Sequence, residues 1–513
     1  MLKDFDDIKQ NSIECDFLIV GGGTIGLTTS VQLAKKTHKD IICLEAGGFD
    51  FANSDSFFGK VEQKGSFYSG AEQGRFFCLG GTSTRWGGAL IPFQKEDMSY
   101  ADWDLNTFEL YKFIPELENL FGLDSSSYDC EYISKEIDID TNESYILRNA
   151  KWPSFKNRNV FTLFEKFIIQ SKNLNVFYNS PVSNIIKNKE KVEITFGLNT
   201  KAKKTIITKN LIIAAGAIEV TRLALLLKNN NLDDFKVDVS NIGLGFSDHI
   251  ALPVGEIKTN DLDKLNKFFA FQFLKKGTMK NLRFEMSGIN NNRERIPPHY
   301  FHISFESNKK TGFVYLRNIL RSVQMRKVPK AHDFFGIFLN LNWIFKLVWW
   351  RIVHSKLYRP AGSTATLNIV LEQTVSRKNK ISLSELQIDQ FGNPLPTIDW
   401  MITKNDKDTL FNACEHFEKF WIKKLDSQFG QLQLYNKNKL LKYCENNEGI
   451  YHPTGTTALN SKYNLASVDE KLNFIGFNNI QLISTSVLPS GGGANPTMMA
   501  LLLALRCVYQ HTK

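Results

Sequence analysis

The chain has 513 residues, of which 42% are hydrophobic and 12% aromatic, including 40 Phe. This length is too great for one compact core and predicts two to four domains, and the composition excludes a disordered or collagen-like chain. Lys and Arg number 63 against 53 Asp and Glu, which gives a net charge of +10. Because the basic residues are scattered and form no cationic tail, we expect no nucleic-acid partner.

The seven cysteines are widely spaced and include no CxxC pair. An odd, dispersed set predicts neither a disulfide framework nor a zinc site, so we expect no bound metal. The first ten residues, MLKDFDDIKQ, are polar and acidic, unlike a signal peptide. We therefore expect a cytoplasmic protein.

The first predicted elements form a strand–turn–helix–strand unit. The apolar run DFLIV at 16–20 predicts a buried parallel strand, 27–36 predicts a helix, and DIICLEAGG predicts a second strand that ends at Glu45. Gly21, Gly23 and Gly26 between them form GxGxxG. In this position the glycines permit a tight turn, close approach to a pyrophosphate and close helix–strand packing.

Glu45 lies about twenty residues after the glycines, where an acidic side chain accepts ribose hydroxyl hydrogens. The pattern therefore predicts a dinucleotide site, without distinguishing FAD from NAD. A second glycine-rich stretch, GLGFSD at 243–248, lacks the final glycine. We therefore expect one tightly held dinucleotide.

The remaining sequence predicts loops and short helices first, and then mainly strands. Residues 50–95 are glycine-rich loops around CLGGTSTRWGGAL, and 96–155 contain short helical patterns such as NTFELYKFIPELENLF. Residues 175–186 predict a strand, KVEITFG predicts another, and IITKNLIIAAGAIEVTRLALLL predicts a buried strand, a glycine turn and a helix. Further on, alternating patterns predict half-buried antiparallel strands at 269–274, 300–307, 364–373 and 380–385.

These patterns predict an α/β protein with a Rossmann-like nucleotide-binding domain and a second α+β substrate domain built on an antiparallel sheet. The first domain is predicted to be discontinuous, over 1–95, 155–250 and 441–513. The substrate domain is predicted over 251–440, with 96–154 as a helical lid or connection.

Residues 335–353, FGIFLNLNWIFKLVWWRIV, are the most apolar stretch. Their Asn, Lys and Arg residues argue against a lipid-spanning helix. The mixture of Trp, Phe, Lys and Arg fits a helix lying on a membrane surface. The alternative, which we favour on sequence alone, is a helix packed on its own domain or on a partner.

Two C-terminal segments about forty residues apart carry candidate catalytic side chains. His452 lies in YHPTGTT, and Asn495 follows three glycines in SGGGANPT. A histidine is suited to take an alcohol proton at neutral pH, and an asparagine amide positions a hydroxyl without changing charge. Each residue alone is more typical of a structural loop, but together they indicate proton removal from an alcohol.

Six segments, taken in their order along the chain, resemble the motifs of one family. They are VGGGTIG with LEAGG, LGGTSTRWGG, AAGAIEVTRLALL, GFSDH, YHPTGTT and SVLPSGGGANPTMMALLLALR. The chain is similar over nearly its whole length to the glucose–methanol–choline (GMC) family of FAD-dependent oxidoreductases, and in particular to its sugar-oxidising branches.

The resemblance implies a role for individual residues. His452 matches the active-site histidine that faces the flavin and acts as base, and Asn495 matches the second active-site position. Asp248 and His249 match a segment that is structural more often than catalytic. The positions implied to contact FAD are Gly21, Gly23, Thr24, Ile25, Gly26, Glu45, Gly81, Thr82, Ser83, Arg85, Trp86, Gly87, Val182, Ala215, Ser484 and Thr497.

Two positions depart from the family pattern. Arg85 stands where some sugar-oxidising relatives have a histidine bonded covalently to the flavin, so we expect non-covalent FAD. A cation there favours hydride acceptance by the flavin, or pairs with an acidic side chain. Ser484 stands where many relatives have aspartate, which removes a charge near the cofactor phosphates.

The sequence therefore predicts FAD-dependent oxidation of an alcohol, on a sugar or related polyol. His452 takes the proton, hydride passes to the flavin, and electrons leave to a quinone-like, protein or oxygen acceptor. A dehydrogenase is favoured, with an oxidase that makes hydrogen peroxide or a flavin-scaffold lyase as alternatives. The positive net charge steers anionic molecules toward a cleft, which hints at an anionic substrate.

Overall fold

The computed structural model describes residues 1–49, 59–139, 143–188, 190–230, 239–287, 296–307 and 311–513. The strands within these ranges are β1 (Leu2–Asp4), β2 (Ser12–Val20), β3 (Ile41–Leu44), β4 (Glu62–Gly65), β5 (Tyr145–Trp152), β6 (Leu174–Tyr178), β7 (Val182–Asn188), β8 (Lys191–Gly197), β9 (Lys203–Ile213), β10 (His249–Lys258), β11 (Gln272–Phe273), β12 (Met279–Met286), β13 (His299–Glu306), β14 (Thr364–Glu372), β15 (Lys380–Ile388), β16 (Pro394–Trp400), β17 (Gln431–Leu434) and β18 (Ile480–Leu482).

The helices of the same ranges are α1 (Thr24–Lys36), α2 (Lys95–Tyr100), α3 (Thr107–Tyr111), α4 (Ile114–Phe121), α5 (Glu131–Glu136), α6 (Phe155–Arg158), α7 (Val160–Gln170), α8 (Ala217–Asn230), α9 (Leu262–Phe269), α10 (Gly312–Gln324), α11 (Ala331–Phe338), α12 (Leu341–His354), α13 (Lys404–Lys424), α14 (Asp426–Phe429), α15 (Lys437–Glu445) and α16 (Thr497–Thr512).

The first sheet has the order β1-β6-β3-β2-β9-β8-β7, and β18 also pairs with β9. The pairs from β1 to β9, and that of β9 with β18, are parallel, whereas β7, β8 and β9 are antiparallel. Helices α1 and α16 pack against each other. The continuous apolar runs of β2 and β3 are buried, as strands covered on both faces require.

The second sheet is antiparallel, with the order β11-β12-β13-β14-β10-β17 and β5 paired to β12. One face packs on α13, whose Phe417 stacks on Phe301 of β13 with ring centroids 4.0 Å apart. The α/β architecture with a Rossmann-like sheet and an antiparallel second sheet is therefore confirmed.

Two segments belong to other parts of the fold than the predicted domain boundaries assign them to. Strand β5, in the segment predicted as a helical lid, extends the second sheet beside β12. Strands β15 and β16 form a third sheet with β4, where Ile381 and Ile398 share a buried cluster with Ile218 of α8. Residues 380–400 therefore pack toward the nucleotide-binding region, because their apolar face is completed by α8.

Two predicted strands also differ in extent. The stretch 269–274 contains the last residue of α9 and the two-residue β11, so most of it is not strand. The stretch 175–186 is two strands, because Asn179 (φ +52) and Pro181 interrupt it. The prolyl ring removes the donor that a continuous ladder would need.

Candidate active site

The turn between β2 and α1 depends on glycine at two of its three motif positions. Gly21 has φ +110, and a Cβ there would lie 2.6 Å from the carbonyl oxygen of Ala214. A Cβ on Gly26 would lie 1.8 Å from the carbonyl oxygen of Gly21. These glycines let the strand, turn and helix approach more closely than any side chain permits.

Gly23 differs, because its surroundings are open. Among the described residues, a Cβ there would come within 4 Å of the Cα of Gly81 alone, at 3.8 Å, and the backbone is extended (φ −86). No side chain caps the N-terminus of α1, which starts at Thr24. The first amides of the helix are therefore available to an anionic group that approaches past Gly23.

The open space continues as a cavity of about 240 Å³ at the carboxyl ends of β2, β3 and β9. This is the edge of a parallel sheet where α/β proteins bind ligands. The N-terminus of α16, also without a side-chain cap, opens onto it through Thr497. The predicted residues that line the cavity are Gly21, Gly23, Thr24, Ile25, Glu45, Gly81, Thr82, Val182, Ala215, Ser484 and Thr497.

The other predicted cofactor residues lie outside that lining. Gly26 is buried in the turn, and Ser83 uses its hydroxyl to donate to Gly80 and to accept from the Val160 N–H. Trp86 donates its indole N–H to the Arg158 carbonyl at 2.8 Å. These residues hold the 3₁₀ turn at 81–84 in place.

Arg85 and Gly87 likewise lie outside the cavity lining. The Arg85 guanidinium lies 4.9 Å from the centre of the Phe76 ring, a cation–π distance. A Cβ on Gly87 would lie 2.9 Å from the Trp152 ring, so glycine allows this close contact. Phe76 itself lines the cavity, which places Arg85 at its margin.

Glu45 lies at the cavity wall and is buried. Its two carboxyl oxygens accept the N–H groups of Gly22 at 2.8 Å and of Gly47 at 2.9 Å. Burial raises the pKa of Glu45 to about 7 despite these bonds. The carboxyl group thereby braces the glycine turn and still faces the cavity.

A group of charged cavity residues was not predicted. Glu219 accepts from Arg75 at 3.1 Å and from Arg222 at 2.8 Å, and Arg222 also pairs with Asp389. The i, i+3 spacing of Glu219 and Arg222 directly after a strand and glycine turn was a detectable signal. Arg75 and Asp389 come from distant loops, and no local pattern marks them.

His452 and Asn495 meet beside this cavity. The amide nitrogen of Asn495 lies 3.1 Å from Nε2 of His452. Tyr451, Pro453 and Thr497, their close neighbours in the chain, line the cavity. The structure therefore places the two predicted catalytic residues together at one end of the cavity.

His249 fixes the protonation of His452. Nε2 of His249 lies 2.9 Å from the Gly492 carbonyl oxygen, which only accepts, so this nitrogen carries the proton. Burial lowers the pKa of His249 to about 4, so the ring is neutral at pH 7 and its Nδ1 is an acceptor. Nδ1 of His452, at 3.3 Å, must then donate to it.

This tautomer leaves Nε2 of His452 with a lone pair, which Asn495 meets with a donor. The Asn495 carbonyl oxygen accepts from Arg283 at 3.3 Å, and this contact fixes the orientation of the amide. Burial, and then the nearby His249 and Arg283, hold the pKa of His452 well below its ordinary 6.5. The ring is therefore a neutral base. The contact of His249 with Nδ1 and that of Asn495 with Nε2 both make Nε2 the acceptor nitrogen.

Asp248 holds the loop that carries His452. Its carboxylate accepts four backbone N–H groups, those of His249, Ile450, Tyr451 and His452. Tyr451 has φ +69, and this unfavourable backbone is maintained by that bond. Asp248, His249 and His452 have potential ligand atoms within 4.8 Å of one another, but the carboxylate is committed to the backbone.

Arg283 is the other residue that sequence reasoning missed. It is buried, pairs with Glu285 at 2.7 Å and stacks on Tyr300. Its Nη2 is buried and has no hydrogen-bond partner among the described residues. It lies in β12, far from both catalytic segments in sequence. Only the pairing of the sheets brings it there, so no local signal marked it.

Comparison with known proteins points to one family of enzymes for the C-terminal part of the chain. Residues 375–504 match the family model of GMC oxidoreductases. This part of the chain, about a quarter of its length, is similar to GMC oxidoreductases. The match covers the segments that carry His452 and Asn495, and it supports an FAD-dependent oxidoreductase. No curated protein sequence matches the chain.

Two solved structures are similar to the chain in fold. One is a formate oxidase from Aspergillus oryzae, a variant studied for its effect on FAD modification; it is 14% identical, with a TM-score of 0.55 over 97% of this chain and 98% of that one. Another is pyridoxine 4-oxidase from Mesorbium loti, also 14% identical, with a TM-score of 0.55 over 97% and 99%.

The residues present fit FAD. The open side of Gly23 and the uncapped start of α1 suit a pyrophosphate, because a backbone without a side chain and free amides are what that group requires. The carboxyl oxygens of Glu45 suit ribose hydroxyl groups. The uncapped N-terminus of α16 brings partial positive charge to the end of the cavity beside His452.

Proposed function

We propose that the protein is a GMC oxidoreductase that oxidises an alcohol carbon of a sugar or related polyol, with His452 as the general base. The observation that carries the proposal is the chain of hydrogen bonds from Gly492 through His249, which leaves the lone pair of His452 on Nε2, beside Asn495. Bound FAD supplies the hydride acceptor for such a reaction.

The protein's own residues perform the proton chemistry. The substrate hydroxyl displaces the contact between the Asn495 amide and Nε2 of His452, so that Nε2 accepts its proton and the amide donates to its oxygen. Because His452 is neutral at pH 7, it accepts the proton without first losing one. Loss of the proton and of hydride from the adjacent carbon converts the alcohol to a carbonyl product.

We further propose that FAD is held without a covalent bond. Arg85 stands where covalently flavinylated relatives have histidine, and a guanidinium does not form that bond. Its position at the cavity margin, over Phe76, supports this reading. Precipitation of the yellow protein with acid should release all the colour into solution, and colour retained in the pellet would contradict the proposal.

The electron acceptor has two candidates. We favour a quinone-like or protein acceptor, as expected for a dehydrogenase. The two solved structures described above are named oxidases, which supports oxygen as the alternative. Hydrogen peroxide formed in step with substrate would decide for an oxidase.

The test of the function is anaerobic addition of sugars, polyols and simpler alcohols, with anionic derivatives included, to the FAD-loaded protein. Bleaching of the flavin absorbance by one of them supports the proposal and identifies the substrate class. Turnover of a substrate that never bleaches the flavin would instead indicate a lyase and would contradict the proposal.

A further inference from the structure

Helices α11 and α12 expose an unusual number of large apolar side chains. Phe335, Phe345 and Ile352 have 61%, 69% and 76% of their surface exposed. Isolated exposed hydrophobic residues are ordinary, but a contiguous apolar patch marks an interaction site. The exposed apolar surface consists of Phe334, Phe335, Phe338, Leu339, Leu341, Phe345, Val348, Trp349, Ile352 and Val353.

Helix α12 has two apolar faces. Trp343, Leu347 and Trp350 are buried against the protein, and the Trp343 indole donates to the Arg359 carbonyl at 2.9 Å. The face with Phe345 and Ile352 points away from the protein. The sequence expectation of a helix packed on its own domain therefore accounts for only half of this helix, and the outer face has no such explanation.

Helices α10 and α11 hold this surface in a fixed place. A Cβ on Gly336 of α11 would lie 2.4 Å from the Tyr315 ring of α10. At the end of α10, the Gln324 amide donates to the carbonyls of Ser83 at 3.3 Å and of Trp86 at 3.0 Å. The exposed apolar surface is thus attached to the turn that borders the FAD cavity.

The segment that carries this surface is mainly cationic. Residues 312–359 contain nine Lys or Arg and one acidic residue, Asp333, although two of the cations, Arg326 and Arg359, pair with Glu165 and Asp263 outside the segment. Asp333 is buried and accepts from Asn318, so it does not lie on the exposed face. At 3.6 residues per turn, Lys346 and Arg351 fall on opposite flanks of the exposed face of α12. Long cationic side chains beside an apolar stripe reach the headgroup level of a bilayer.

Within the described residues, no helix has the length and apolar character to cross a membrane. Helix α12 has 14 residues, about 21 Å at 1.5 Å per residue, shorter than the ~30 Å hydrocarbon core. The arrangement instead suits a helix pair that lies in the plane of the interface, with aromatic and aliphatic side chains inserted to a shallow depth.

We propose that the exposed apolar surface docks the protein on an anionic lipid bilayer. The apolar side chains enter the headgroup boundary, and the surrounding cations neutralise acidic lipids. A second copy of the chain fits less well, because symmetric pairing would bring two sets of cations together. The proposal is independent of the substrate and of the electron acceptor.

The test is flotation of the FAD-loaded protein with phosphatidylcholine vesicles, with and without phosphatidylglycerol. The protein should bind the anionic vesicles, bind neutral ones much more weakly, and lose most of the difference at high salt, since salt screens charge. The paired substitution Phe345→Ser with Ile352→Ser should lower binding to anionic vesicles at least about tenfold.

The matched control is Leu386→Ser with Ile422→Ser, which removes two side chains that are 87% and 61% exposed outside this surface. It should bind vesicles as the wild type does. Because all four positions are exposed, each variant should unfold thermally at the wild-type temperature. The pair Lys330→Glu with Lys346→Glu should remove the preference for anionic vesicles.

Three results would overturn the proposal. The first is equal or absent binding of the wild type to both vesicle types. The second is unchanged binding by the Phe345/Ile352 pair. The third is a wild-type dimer in sedimentation that this pair dissociates, because the surface would then join two copies of the chain.

Discussion

Replacement of His249 by phenylalanine tests how His452 acquires its acceptor nitrogen. The substitution removes the acceptor 3.3 Å from Nδ1 of His452 and leaves that N–H buried without a partner. An unsatisfied buried donor costs about 1–3 kcal/mol. This cost favours the tautomer with the proton on Nε2, against the Asn495 amide that donates to that nitrogen. In that tautomer the nitrogen that accepts the substrate proton is blocked.

Since about 1.4 kcal/mol is a factor of ten in rate, the fraction of competent His452 should fall roughly 10- to 100-fold. The rate constant of flavin reduction, followed anaerobically by stopped-flow absorbance, should fall by that factor while FAD content stays unchanged. The matched control is His299→Phe. His299 is also buried and neutral, but it bonds to Tyr145 and to the Pro297 carbonyl. A His249→Phe enzyme that reduces its flavin within threefold of wild type would refute the reasoning.

Three further predictions follow from the geometry. Gly23→Ala should leave thermal unfolding of the cofactor-free protein unchanged, because the added Cβ meets nothing closer than 3.8 Å, but should abolish FAD retention; yellow purified protein would contradict this. Flavin reduction should be independent of pH between about pH 6 and 8, because the lowered pKa keeps His452 neutral there; an acidic limb near 6.5 would show an unperturbed base. Lys151→Met should lower the free energy of unfolding in urea by about 3–5 kcal/mol, since Glu118 would be buried without its cation; a loss under 1 kcal/mol would show that Glu118 finds another partner.

The features predicted from sequence were those set by local patterns. Apolar runs located β2, β3 and β9, and the glycine spacing located the turn at Gly21–Gly26, because its steric requirements act within a few residues. The candidate pair of His452 and Asn495 came from two short loops, and the structure brings both to one end of the cavity.

The features that sequence did not predict depend on contacts between distant strands. Arg283 reaches Asn495 across 212 residues, and His249 reaches His452 across 203. Their roles follow from which atoms face each other, and no spacing rule encodes that. The outer face of α12 was ambiguous for a similar reason: both of its faces are apolar, and only the fold shows which one is buried.

The central claim is that His452 takes the substrate proton as hydride leaves the carbon. The direct measurement is the rate constant of flavin reduction in His452→Ala, once a substrate that bleaches the wild-type flavin is in hand. Removal of a general base predicts a loss of at least about 100-fold with FAD still bound. Reduction at close to the wild-type rate would show that another group removes the proton.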